Sequence, residues 1–86
     1  MPVVSRFYGI AIAFYWNDHA PPHFHARYGS AEAMIEVATG AVLRGSLPPR
    51  AQSLVEEWRK LRATELAADW QLAREGRPLR YIEPLE

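Results

Sequence analysis

The sequence predicts an α+β fold in two layers: an antiparallel β-sheet of three to four strands (β-β-β), followed by one kinked or two α-helices packed on one face. Three observations predict it. Through the first half of the chain apolar residues alternate with period two, as strands require. Turns at Gly29-Ser30 and at Gly40 punctuate that alternation. After Pro48-Pro49 the apolar spacing changes to 3.6, the period of a helix with one buried stripe. The 86 residues make a single domain, 1–86.

The first strand is expected within residues 9–16, where Ile10, Ile12, Phe14 and Trp16 alternate with Ala11, Ala13 and Tyr15. Apolar character on both faces suits a well-covered strand. Residues 17–22 read as a loop, with Ala20 and Pro21 extended because each precedes a proline. The next strand carries His23, His25 and Arg27 on one side and Phe24, Ala26 and Tyr28 on the other. A two-residue turn beginning with Gly29 is of type II′ and fixes the register of the hairpin. His23 then faces Glu36, Phe24 Ile35, His25 Met34, Ala26 Ala33, Arg27 Glu32, and Tyr28 Ala31. A slip of one residue would mix polar with apolar on each face, so the clean sorting supports this register.

A three-residue loop at residues 38–40, with Gly40 left-handed, leads into a third strand. That loop puts Ala41, Leu43, Gly45 and Leu47 toward the core, and Val42, Arg44 and Ser46 beside Glu36, Met34 and Glu32. Proline is tolerated at a helix start, so a helix begins at Pro48-Pro49. Its stripe is Ala51, Leu54, Val55, Trp58 and Leu61. Leu66, Trp70 and Ala73 form a second stripe, offset by five residues, which predicts a kink or a second helix near Ala63-Thr64 with Thr64 as N-cap. Gly76 and Pro78 end the helical region, and an extended tail offers Leu79, Tyr81, Ile82 and Leu85 for docking. Trp58 and Trp70 read as core residues over Phe24, Tyr28 and Ile35.

Composition excludes several classes. There is no cysteine, hence no disulfide and no thiolate metal site, which fits a reducing, cytoplasmic setting. No apolar run reaches the roughly 20 residues that span a bilayer, and no signal-peptide layout opens the chain, so no membrane association is expected. The formal net charge is zero, without the broad basic footprint of a nucleic-acid binder. Arg59, Lys60 and Arg62 read as a solvated helix face. No serine sits in a glycine-framed elbow, and there is no phosphate loop or dinucleotide fingerprint.

All three histidines fall in the stretch Asp18-His19-Ala20-Pro21-Pro22-His23-Phe24-His25. Histidine titrates near neutral pH and is the commonest metal ligand. The hairpin register gathers His23, His25 and Glu36, with Arg44, Arg27 and Glu32 further along, on the sheet face away from the core. Histidines two apart on a strand stand about 7 Å apart at Cα and can converge on one ion. His19 or Asp18, from the preceding loop, can supply another ligand. His19, His23 and His25 with water would be a catalytic zinc layout, or would hold another divalent metal. Glu36, facing His23, is then a ligand, an orienting partner or a general base. Four readings stand: an exposed strand face with local ion pairs; a protein-binding surface of Asp18, His19, Arg27 and Met34; a metal site; and metal-free acid–base chemistry on a phosphodiester by His23, His25, Glu36 and Arg44.

The opening residues 4–10, the Asp-His-x-Pro-Pro-His-Phe-His stretch, Gly45-Ser46-Leu47-Pro48, Trp58, Glu65-Leu66, Trp70 and Ile82-Glu83-Pro84-Leu85 resemble the small bacterial family called domain of unknown function 4160. The resemblance implies a small protein partner of the domain of unknown function 2442 family, encoded by the neighbouring gene, and a bacterial cytosol. It implies a toxin–antitoxin-like two-gene module; with the polar His/Arg/Glu sheet face, the leading expectation is that the chain is a component of it, as a candidate toxin, acting through its partner and on RNA. Its hallmark positions here are Asp18, His19, His23 and His25. A metal-dependent hydrolase built on His19, His23 and His25, and a non-catalytic protein-binding module, are the alternatives; a homo-oligomer is compatible with each. Whether the chain is an enzyme is left open by the sequence.

Overall fold

The computed structural model describes residues 2–86. The elements are β1 (Val3–Phe7), β2 (Ile10–Ala13), β3 (His23–Tyr28), β4 (Ala31–Glu36), β5 (Val42–Ser46), α1 (Pro49–Leu61) and α2 (Ala63–Arg74). The strands form one antiparallel sheet in the order β1-β2-β3-β4-β5. The fold is thus α+β with an antiparallel sheet and two helices, but the sheet has five strands rather than three or four. The extra strand is β1. A register shift between Val3 and Ser5 blurs its alternation, and its turn to β2 is made by Tyr8 and Gly9, both at positive φ (50° and 80°). That is the backbone of a type I′ turn. The expected strand at residues 9–16 contracts to Ile10–Ala13, with one further backbone bond from the Phe14 N–H to the Pro2 carbonyl beyond its end.

The hairpin of β3 and β4 has all six cross-strand pairs that the sequence predicts, from His23↔Glu36 to Tyr28↔Ala31. Gly29, at φ 58°, makes the turn. Between β4 and β5, Met34↔Arg44 and Glu32↔Ser46 pair as expected, but a bulge between Met34 and Ile35 sets Ile35 against Val42. The bulge removes Leu43 from the core: it is 42% exposed, and it lines a cleft on the histidine face together with Arg44. Ala41 is exposed as well. Gly45 approaches β4 so closely that a Cβ there would run into the backbone carbonyl of Glu32.

Phe24, Ala26, Ala33 and Ile35 from the sheet meet Val55, Trp58, Leu66 and Ala73 from the helices in one core. Trp58 is its largest fully buried side chain. Its ring lies 5.2 Å from Phe7 and 6.0 Å from Phe24, and its indole N–H donates to the Glu83 carbonyl at 2.8 Å. Tyr28 lies outside the core at 42% exposure. The two helices meet at Arg62, with φ −117° and ψ 22°, and no side chain caps either start, so Thr64 is not the N-cap. Leu61 falls at this break and is 62% exposed instead of joining the stripe. Arg59 is buried; it donates to the Val37 carbonyl at 2.9 Å and pairs with Glu56, tying α1 to the end of β4. The tail docks through Leu79, Ile82 and Leu85, with the Ile82 N–H on the Val4 carbonyl, while Tyr81 stays exposed.

Candidate functional site

Asp18, His23 and His25 form the site. The two histidines alternate with Phe24 on β3, so packing of Phe24 into the core aims both imidazoles at the opposite face. That face is not open to solvent there, contrary to the sequence reading: His23 is 4% and His25 8% exposed. Residues 14–22 cover it. The chain leaves β2 at Ala13, opposite His25, and Tyr15 then sets its ring edge-on to His25 at 4.4 Å. Asn17 takes a left-handed backbone (φ 62°), a conformation asparagine tolerates, and donates its N–H to the Ala73 carbonyl of α2. The next residue, Asp18, is thereby turned back over the strand. The Ala20–Pro21 peptide is cis. On the far side the Trp70 ring of α2 lies 5.1 Å from His23.

Asp18 Oδ2 lies 2.9 Å from His23 Nε2 and 3.5 Å from His25 Nε2. The other ring nitrogens are also occupied. His23 Nδ1 donates to the Pro21 carbonyl at 2.8 Å, and His25 Nδ1 faces Glu32 Oε2 at 3.3 Å. A carbonyl only accepts, so the Pro21 contact assigns the His23 proton to Nδ1 in the neutral ring. In that tautomer the Nε2 lone pair points at a carboxylate oxygen, a contact resolved either by a second proton on the ring, which then donates to Asp18, or by a cation between the two. His25 Nε2 is buried and makes no hydrogen bond. One ligand atom from each of the three residues lies within 4.8 Å of the others. Ligands on a tetrahedral zinc stand about 3.3 Å apart, given bonds of about 2.0–2.1 Å. The donor set and its spacing fit a divalent ion after small shifts.

Burial draws the Asp18 carboxyl upward, but the His19 backbone N–H and the His23 and His25 rings outweigh it and hold it below the usual carboxylate range. Glu32 is held low by its hydrogen bond to Arg27, at 3.0 Å, with His25 adding to it. Both carboxylates are therefore available as anions at neutral pH.

The sequence placed His19 among the candidate metal ligands; the structure brings Asp18, not His19, together with His23 and His25. His19 is exposed and contributes its backbone N–H, 2.9 Å from Asp18 Oδ1, because the turn that points Asp18 inward points its neighbour outward. Glu36 faces His23 in register, yet its carboxylate accepts the Thr39 hydroxyl at 2.7 Å within its own turn and stays out of the cluster. Arg27 pairs with Glu32 as expected. Met34 and Arg44 wall the cleft beside the site, a space of about 430 Å³ that also touches Asp18 and His23. Sequence reasoning missed three parts: Tyr15, the Pro21 carbonyl and Trp70. Tyr15 shares its face with Ala13, so the pairing of β2 with β3 would have found it; a carbonyl and a helix contact leave no such trace.

Residues 9–71 match the family described as Domain of unknown function (DUF4160), which is most of the chain, and the chain belongs to that family. No curated protein and no solved structure matched in the same comparisons.

Proposed function

We propose that this member of the family works through a divalent cation held by Asp18, His23 and His25, as a small metal-dependent hydrolase. One observation carries the reading: His23 hydrogen-bonds the Pro21 carbonyl through Nδ1, His25 sets its Nδ1 3.3 Å from Glu32, and both turn Nε2 toward the same carboxylate oxygen. Orienting a ligand histidine through its second nitrogen, by a carbonyl or a carboxylate, is the usual outer-shell arrangement of metal sites. Two nitrogens and one carboxylate oxygen suit zinc, and equally iron(II) or manganese(II). A bound ion of this kind polarises a water molecule for attack and leaves coordination positions open to substrate. The chain's own residues fix the histidine rings, exclude water behind them through Tyr15 and Trp70, and open the site toward the cleft walled by Met34 and Arg44.

Metal analysis of protein purified without a histidine tag tests the reading. About one zinc or other divalent ion per chain is expected, with a rise in Tm on reconstitution, because a ligand bound only to the folded state stabilises it by about 2.7 kcal/mol at 100 times Kd. Less than about 0.1 metal per chain with no thermal shift on adding zinc, cobalt or manganese overturns it.

A second reading is favoured by a different observation: β5 is exposed along its whole length, including Val42 and Leu43. An open edge strand is a template for strand addition by another chain. This suits the toxin–antitoxin-like module, in which a small protein of the domain of unknown function 2442 family binds this one. Co-expression with the neighbouring gene product tests it. Failure of the two to co-purify, with no growth phenotype when this chain is expressed alone, sinks it.

A further inference from the structure

We propose that the substrate of the site is a phosphate ester, with Arg44 as the residue that holds its charge; this rests on the cation site proposed above. Two clefts meet on the histidine face. One passes Asp18, His23 and Leu43; the other passes His25, Glu32 and Gly45; Met34 and Arg44 wall both. The register puts His25, Met34 and Arg44 side by side on three neighbouring strands. At the ordinary strand spacing, Arg44 Cα stands about 10 Å from that of His25, with Met34 on β4 between them and a cleft to either side.

Charge decides what this groove takes. Asp18 contributes one negative charge to a doubly positive ion. Glu32, the nearest other carboxylate, is neutralised by Arg27 at 3.0 Å. Arg44 forms no ion pair among the described residues. The loaded groove is therefore cationic at two points, and an anion bridges them. A group bound between a cation and a guanidinium is held best when the hydrolysable group itself carries negative charge on the oxygens around its reacting centre. Amides and carboxylic esters carry none there, whereas a phosphate ester presents several oxygens to both.

The reaction follows. A water oxygen bonds to phosphorus, the P–O ester bond breaks with its electron pair on the leaving oxygen, one water proton ends on that oxygen, and the other remains with the product phosphate.

The experiment uses cobalt-substituted protein, whose visible spectrum reports both cobalt binding and phosphate arrival. Inorganic phosphate should perturb the spectrum of the wild-type protein. Arg44→Gln should weaken phosphate binding by about 10- to 100-fold, the range of a charge-assisted bidentate contact, with cobalt affinity unchanged within about twofold, and Arg44→Lys should recover part of the loss. p-Nitrophenyl phosphate, bis-p-nitrophenyl phosphate and a single-stranded RNA oligonucleotide then separate monoester from diester from polymer, and turnover of any one supports the inference. Cobalt binding without a response to phosphate, or equal phosphate affinity in Arg44→Gln, overturns it while leaving the cation site standing. Absence of cobalt binding overturns both.

Discussion

Trp70 lays its ring 5.1 Å from the ring of His23, so the helical layer reaches around the sheet to touch the site. Trp70 is 6% exposed, and the Arg74 guanidinium lies over its ring at 5.9 Å. Removing the ring loosens the helix packing and His23 together. Trp70→Ala should lower stability by about 3–5 kcal/mol in urea melts, and Trp70→Phe by less than about 2 kcal/mol. In the phenylalanine variant the cobalt spectrum should broaden even at temperatures where the protein is fully folded.

Asp18 and His19 are adjacent in the chain and opposite in consequence. Asp18→Asn should reduce zinc or cobalt affinity by about 100-fold or more, beyond the 10- to 100-fold typical of outer-shell partners. His19→Ala should change it by less than about twofold, since His19 offers only a backbone N–H that alanine retains. Titration calorimetry on the two variants checks this, and a large loss in His19→Ala would restore that ring to the ligand set.

Glu32 would act on the proposed cation through His25. Its Oε2 stands 3.3 Å from His25 Nδ1, so Glu32→Gln should weaken metal binding by about 10-fold without altering the number of ions bound. Competition with a chromogenic chelator measures it.

Gly45 sits at φ 75°, where an L side chain is strained, and a Cβ there meets the Glu32 carbonyl rather than a flexible side chain. Gly45→Ala should therefore destabilise the fold by about 2–4 kcal/mol in chemical denaturation. A neutral effect would mean that β5 can slide away from β4.

Two carboxylates give pH dependences of opposite sign. The hydrogen bond from Arg59 holds Glu56 below its ordinary 4.5, so its stabilisation is present above that value and is lost as pH falls through the lower folded one. Burial pushes Asp69 above 3.8, so its contribution is greatest below 3.8 and is lost as pH rises through the raised folded value. Acid titrations of Tm should show Glu56→Gln flattening the acid limb. Asp69→Asn should gain relative to wild type as pH rises, because its oxygen can still accept the Arg80 N–H, bonded at 2.9 Å in the native chain.

The β3–β4 hairpin was legible because Gly29 and a strict alternation leave only one register that separates His23, His25 and Arg27 from Phe24, Ala26 and Tyr28. Leu66, Trp70 and Ala73 were legible as a buried stripe for the same kind of reason. Leu43 was not, since a bulge breaks the count between Met34 and Ile35 and nothing local announces it. The strand β1 was hidden by its irregular pairing and by a turn whose first left-handed residue is Tyr8, not glycine. At the candidate site, crowding of histidines pointed to the stretch that holds the cluster but chose His19 over Asp18. That choice depends on how residues 14–22 lie, which is set by the Ala73 carbonyl accepting from Asn17 and by Trp16 donating its indole N–H to the Arg77 carbonyl. Both are tertiary contacts to the far end of the chain.

The two margins of the sheet differ. The Val4 carbonyl on β1 is occupied by the Ile82 N–H, whereas β5 has no neighbour beyond it among the described residues. A sheet with one sealed and one free margin can be extended only once. Two copies joined through β5 would close on each other about a twofold axis and stop, since neither has a second free margin to offer a third. The same asymmetry that leaves the protein open to a companion strand thus guards it against fibre growth.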